Sequence, residues 1–171
     1  MSKKKFIVAA LGLALTIGTA QSAFAATADA SGASAKKTQH AEWKAQTAAL
    51  KSELASLRAE QKTLTALIVQ QHNANKAART GLSAEAKAAL KATLKSLAQQ
   101  IKAERASIET VRTQKQALWM QVKAARQAGD TATGVADLEQ IVTLKGQIID
   151  AKQQIVTLQQ SLQAALNGAS A

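Results

Sequence analysis

Apolar residues recur along the chain at alternating steps of three and four, which is the spacing of a heptad repeat. The pattern runs through three segments, about 35–79, 84–128 and 131–166, and predicts three long helices that pack along narrow seams. The clearest seam positions are Leu50, Leu54, Leu57, Leu64 and Ile68 in the first segment, Leu90, Leu94, Leu97, Ile101 and Ile108 in the second, and Ile141, Leu144, Ile148, Ile155 and Leu158 in the third.

The third segment carries a second apolar stripe. Val135, Val142, Ile149 and Val156 follow one another at steps of seven, beside the main seam. A helix face of that width can contact two neighbouring helices at once, or one neighbour and another protomer.

Glycine and capping residues divide the helices. Gly81 and Ser83 read as a C′ residue followed by an N-cap, and Gly129 with Asp130 repeats the arrangement. Connections this short place consecutive helices antiparallel. We therefore expect an all-α fold, an elongated antiparallel coiled-coil hairpin with a third helix packed back on it, in one domain over residues 35–168.

The reversal between the first two helices predicts their register. It places Trp43 opposite Trp119 at the open end of the hairpin. The third helix, ending at Leu166, then extends only to about Leu97 of the second. On this reasoning the tip of the hairpin, roughly Lys62–Lys95, overhangs as two bare helices with polar seam residues, the least stable part of the molecule.

The N-terminus has the pattern of a secretory signal peptide. Lys3–Lys5 precede an apolar stretch over Phe6–Ala20, and Ala23-Phe24-Ala25 is a cleavage site of the small-x-small type. We expect cleavage after Ala25, a flexible linker over residues 26–34 and an extracytoplasmic protein, secreted or in the periplasm or cell envelope of a bacterium. The alternative is an uncleaved N-terminal anchor.

Basic residues dominate the middle of the chain. The formal net charge is +11 over 171 residues, and residues 36–128 carry 17 basic against 6 acidic side chains. Most of these lysines lack an intrahelical acidic partner. A basic face of this kind is either a solubilising surface or an attraction for an anionic partner.

Catalytic chemistry has few candidates in this composition. The chain has no cysteine, and its two histidines, His40 and His72, are about 48 Å apart on one helix. Glu104 and Lys115 occupy seam positions, where polar residues act as register or orientation devices. We expect no enzyme, no catalytic residue, no cofactor and no metal site.

Three non-enzymatic functions remain open. The first is an exported coiled-coil interaction or structural protein that binds itself or another envelope protein. The second is an extracytoplasmic holdase, since in class, though not in motif, the chain looks like the small basic helical chaperones of the bacterial periplasm. The third is a binder of anionic envelope polymer or membrane surface. Nucleic acid is a weaker fourth, because no stacking aromatics accompany the basic stretch.

The predicted contact site for an anionic partner lies at the tip. Lys87, Lys91 and Lys95 step by four and form one ridge on the second helix. Leu67, Val69 and Leu82 add apolar groups that the neighbouring helices are not expected to cover fully. The basic residues assigned to this site are Lys62, Lys76, Arg79, Lys87, Lys91 and Lys95.

Overall fold

The computed structural model describes residues 31–169, with side chains from residue 36 onward. It contains three helices, α1 over Ser31–Gly81, α2 over Ala84–Ala128 and α3 over Thr131–Gly168. The predicted all-α arrangement of three packed helices is confirmed. The predicted signal peptide over residues 1–25 lies outside the described residues, and helix α1 already includes residues 31–34 of the expected linker.

The predicted helix boundaries rest on the caps that the sequence indicated. The Ser83 hydroxyl accepts a hydrogen bond from the Ala86 amide at 3.1 Å, and the Asp130 carboxylate accepts one from the Thr133 amide at 3.0 Å. Gly129 ends α2 in the left-handed conformation, with φ of 76°. Gly81 does not act as the expected C′ residue. It is the last residue of α1, and its φ is not in the left-handed region, so its conformation does not require glycine.

Helix α3 is the central element of the bundle. It packs along both α1 and α2, whereas α1 and α2 approach each other much less closely. The second apolar stripe of α3 supplies part of this contact, since Ile149 and Val156 are buried. The broad face of α3 therefore contacts two neighbours of the same chain, one of the two arrangements that its sequence allowed.

Two apolar clusters follow one another along the bundle. The first, at the open end, contains both tryptophans, as their opposed positions in the sequence predicted. The second occupies the middle of the bundle. The first is built on Trp43, Leu54, Val122, Leu138 and Ile141, with Trp119 packed against them, and the second on Ile108, Ile148, Ala151 and Ile155.

The expectation of a bare two-helix tip over Lys62–Lys95 is wrong for α1, whereas on α2 the end of α3 lies near the predicted position, since Leu166 lines the same cleft as Leu94. The Asn75 side-chain amide donates to the main-chain carbonyl of Gln159 at 2.9 Å, so α3 covers α1 well beyond Lys62. Leu82, at the turn, is also buried. The expectation assumed that α1 and α2 form a hairpin on which α3 is added, whereas each of them packs separately on α3.

Candidate functional site: a basic cleft and a polar seam

A cleft of about 380 Å³ opens between α1 and α2 near the tip. It exists because α1 and α2 diverge over α3, which forms its floor. Its volume is within the usual range of small-molecule sites. The lining residues are His72, Asn75, Lys76 and Arg79 from α1, Leu94, Ala98, Ile101, Lys102 and Arg105 from α2, and Gln159, Leu162 and Leu166 from α3.

The lining of the cleft combines apolar side chains with positive charge. Its basic residues come from both walls, and no acidic side chain lines it. Lys76 and Arg79 on α1 and Lys102 and Arg105 on α2 therefore border the same cleft. This combination suits a ligand that has a negative group attached to an apolar body.

The cleft follows α2 over about three helical turns. Leu94 and Arg105 are eleven residues apart on α2, which corresponds to about 16 Å along the helix axis. Asn75 of α1 and Gln159 of α3 form a polar pair in its lining, and their buried side-chain oxygens Oδ1 and Oε1 have no hydrogen-bond partner among the described groups. Leu166 lies seven residues beyond Gln159, so the apolar part of the floor continues toward the tip.

The residues predicted for the contact site divide into two groups. Lys76 and Arg79 line the cleft, as just described. Lys91 and Lys95 are exposed on α2, and Lys87 is exposed with its ammonium group 3.5 Å from the Thr80 carbonyl that accepts its hydrogen bond.

Lys62 is exposed on α1 and does not line the cleft, whereas sequence reasoning missed Lys102 and Arg105, which do. A signal for the missed pair was available. Lys102 follows Lys95 by seven residues and so continues the same side of α2.

A second polar feature lies in the seam between α1 and α3. Lys145 and Lys152 are only 4% and 7% exposed. The Lys152 ammonium group donates to the Gln61 carbonyl at 3.0 Å and to the Thr65 hydroxyl. The Lys145 ammonium group lies 3.5 Å from Gln61 Oε1, and Gln61 donates in return to the Lys145 carbonyl at 3.4 Å. Neutral groups alone therefore satisfy these two cations.

The surroundings of these lysines disfavour their charge. Burial lowers the pKa of Lys145, and the neighbouring Lys115, Arg58 and Lys152 lower it further. Burial and the charge of Arg112 lower the pKa of Lys152. Sequence reasoning missed this seam, because a lysine on a helix is normally an exposed residue.

Lys115, which the sequence placed on a seam, is half-buried and belongs to the same group of cations. Its pKa is lowered by burial and by Arg112 and Arg58. Arg112 itself forms an exposed ion pair with Glu109 at 2.5 Å. The middle of the bundle therefore carries several positive charges and little compensating negative charge.

Metal-binding clusters and membrane-spanning helices are both absent from the described part of the chain. No three His, Asp or Glu side chains within residues 36–169 are grouped to hold a metal ion. No helix in that range is long and apolar enough to cross a bilayer. No family model matches this chain, and no curated protein or solved structure matches it.

Proposed function

We propose that this chain is an exported, non-enzymatic coiled-coil interaction protein of the bacterial cell envelope that binds an acidic protein partner. One observation carries the proposal: a basic stripe along one exposed side of α2, whose last two members also line the cleft. At 100° per residue, the angular positions of its members around the helix axis lie within about 40° of their common direction. The members are Lys87, Lys91, Lys95, Lys102 and Arg105, all exposed.

The stripe has little opposing charge on its own helix. Glu104 is the one acidic residue of α2 between Lys87 and Arg105, and it is half-buried and turned about 140° away from Lys91. Five cations over some five helical turns create a local field that attracts anionic surfaces and speeds their association.

The distribution of apolar surface favours an acidic partner over capture of unfolded chains. Among the large apolar side chains described, two are well exposed, Val69 at 53% and Met120 at 66%. Leu67 is half-buried and Leu82 is buried. A holdase depends on contiguous exposed apolar surface, whereas these two exposed side chains lie on different helices, 51 residues apart in sequence.

The proposal is tested with the triple variant Lys87→Glu, Lys91→Glu and Lys95→Glu in the mature chain. The matched control is Lys44→Glu, Lys51→Glu and Lys123→Glu, which changes the net charge equally at exposed positions elsewhere. Each protein is immobilised, and capture of envelope proteins is measured at low and at physiological salt after circular dichroism has shown intact helices.

We expect the tip variant to lose capture of acidic proteins and the control to keep it. Raising the salt concentration should weaken capture by the unmodified chain, because screening is strong beyond about 8 Å at physiological ionic strength. Equal capture by both variants would overturn the proposal. Suppression of aggregation of an unfolding client would favour the holdase, and binding to anionic vesicles or envelope polymer alone would favour the surface binder.

A further inference from the structure

We propose that the cleft between α1 and α2 binds a long-chain fatty carboxylate, with its carboxylate at the Lys102–Arg105 end and its acyl chain extending toward Leu94 and Leu166. This goes beyond the proposed function, because it places a small molecule inside the cleft, whereas the proposed function places a protein on the basic stripe of α2. Lys102 and Arg105 belong to both sites, but Lys87, Lys91 and Lys95 do not line the cleft, so the variants that test the two proposals are different.

The apolar part of the cleft suits a single extended chain. Five apolar side chains line it, Leu94, Ala98 and Ile101 from α2 and Leu162 and Leu166 from α3. The cleft volume of about 380 Å³ lies within the usual range of small-molecule sites. An extended acyl chain needs only an apolar channel, and the apolar residues from Leu94 to Ile101 follow α2 over about 10 Å.

Charge complementarity selects an anionic head group. Lys76 and Arg79 on α1 and Lys102 and Arg105 on α2 line the cleft, and none of them forms an ion pair in the structure. A carboxylate at the Lys102–Arg105 end would accept charge-assisted hydrogen bonds from these two side chains. A cationic or neutral head group would leave their charges without a counter-charge.

The apolar residues set the direction of the acyl chain. Helix α2 runs away from the tip, so Lys102 and Arg105 lie at the end of the cleft nearer the middle of the bundle, and Leu94 lies at the end nearer the tip. Arg79, on the α1 wall, also lies toward the tip, because α1 runs in that direction. The proposed chain therefore extends from the Lys102–Arg105 pair past Ile101 and Ala98 to Leu94.

Calorimetric titration of the mature chain tests this assignment without any substitution. The probes are octanoate, decanoate and dodecanoate, each below its micelle concentration, and dodecyltrimethylammonium, which has the same chain as dodecanoate and the opposite charge. Affinity should rise by up to about fourfold for each added methylene, since each buried CH₂ contributes a fixed increment. Dodecyltrimethylammonium should bind at least about tenfold more weakly than dodecanoate.

Variants then locate the binding. Lys102→Gln with Arg105→Gln should weaken dodecanoate binding about tenfold, whereas Lys44→Gln with Lys51→Gln, at exposed positions far from the cleft, should leave it unchanged. Ala98→Trp fills the cleft without changing charge and should abolish binding while circular dichroism remains helical. Equal affinity for the cationic amphiphile, no dependence on chain length, or full binding by the Lys102 and Arg105 variant would each overturn the proposal.

Discussion

The indole ring of Trp43 lies against the backbone of Gly134, across the interface between α1 and α3. Trp43 is 7% exposed and belongs to the apolar cluster at the open end. A methyl group at position 134 would overlap the ring, so this glycine provides the space that the largest side chain of the interface occupies. The burial of Trp43 offsets the loss of helix propensity that glycine brings to α3.

Two glycines of α3 should respond oppositely to alanine. Gly134→Ala forces Trp43 to move and should lower the free energy of unfolding by about 1–3 kcal/mol, the usual cost of overpacking. A methyl group at position 146 would have no close neighbour. Gly146→Ala should therefore raise the free energy of unfolding by as much as about 1 kcal/mol through helix propensity. Urea denaturation of the mature chain measures both, and a stabilising Gly134→Ala would contradict the placement of the ring.

The two glycines next to the helix connections form a second matched pair. Gly129→Ala should destabilise the fold by about 1 kcal/mol, because alanine is strained at positive φ and its methyl group would also crowd the Gln39 side chain. Gly81→Ala should be neutral or stabilising, since this position has neither a positive φ nor a close neighbour. Thermal unfolding distinguishes the two, and equal losses at both positions would mean that Gly81 also has a capping role.

The buried lysines of the seam should be replaceable by an apolar side chain of similar shape. Lys145→Met and Lys152→Met each remove a buried charge that has no acidic partner, and each should raise the free energy of unfolding at neutral pH by about 1 kcal/mol. Lys123→Met, at an exposed position, is the control and should have little effect. Destabilisation by both seam variants would show that the hydrogen bonds to Gln61 and Thr65 outweigh the cost of burial.

The same lysines predict how stability changes with pH. Their pKa values are lowered in the folded protein, whereas in the unfolded chain they return to about 10.4. Between the lowered and the ordinary pKa the unfolded chain binds more protons, so the free energy of unfolding should rise as the pH increases through the alkaline range. Urea midpoints between pH 7 and 10 should show this rise, and it should be smaller in the Lys145→Met, Lys152→Met double variant.

Asp137 should act in the opposite sense at acid pH. Burial and the nearby Asp130 raise the pKa of its carboxyl group, so the stability contributed by the protonated form is lost as the pH rises through that value. Asp137→Asn, which cannot ionise, should remove this part of the pH dependence. An unchanged acid-range profile in that variant would show that Asp137 titrates as it does in the unfolded chain.

Export is checked by the N-terminus of the protein. If signal peptidase recognises Ala23-Phe24-Ala25, the exported chain begins at Ala26. Intact-mass spectrometry of protein from the cell envelope determines this directly. A chain that still begins at Met1 or Ser2 would indicate an anchored protein instead.

The helices were predictable because local chemistry specifies them. Ser83, Gly129 and Asp130 mark boundaries that the structure reproduces, and heptad spacing identified the buried faces. The choice of helix pairs was not predictable in the same way. All three helices carry similar seams, so spacing alone does not say that α3 takes the central position.

The candidate site was harder to predict because it depends on that choice. Lys76 and Arg79 were identified from charge, but Lys102 and Arg105 join them only because α1 and α2 diverge over α3. Asn75 and Gln159 are 84 residues apart and form their hydrogen bond only in this register. Long-range pairings of this kind have no signature in a single sequence.

The central position of α3 has a consequence for how the chain acquires its structure. α1 and α2 make little contact with each other, so neither has a packing partner until the last helix has been synthesised. A ribosome-bound chain that ends before Thr131 lacks the surface on which both earlier helices condense. Packing of α1 and α2 is therefore deferred until α3 has emerged, so both helices are made before either can be buried.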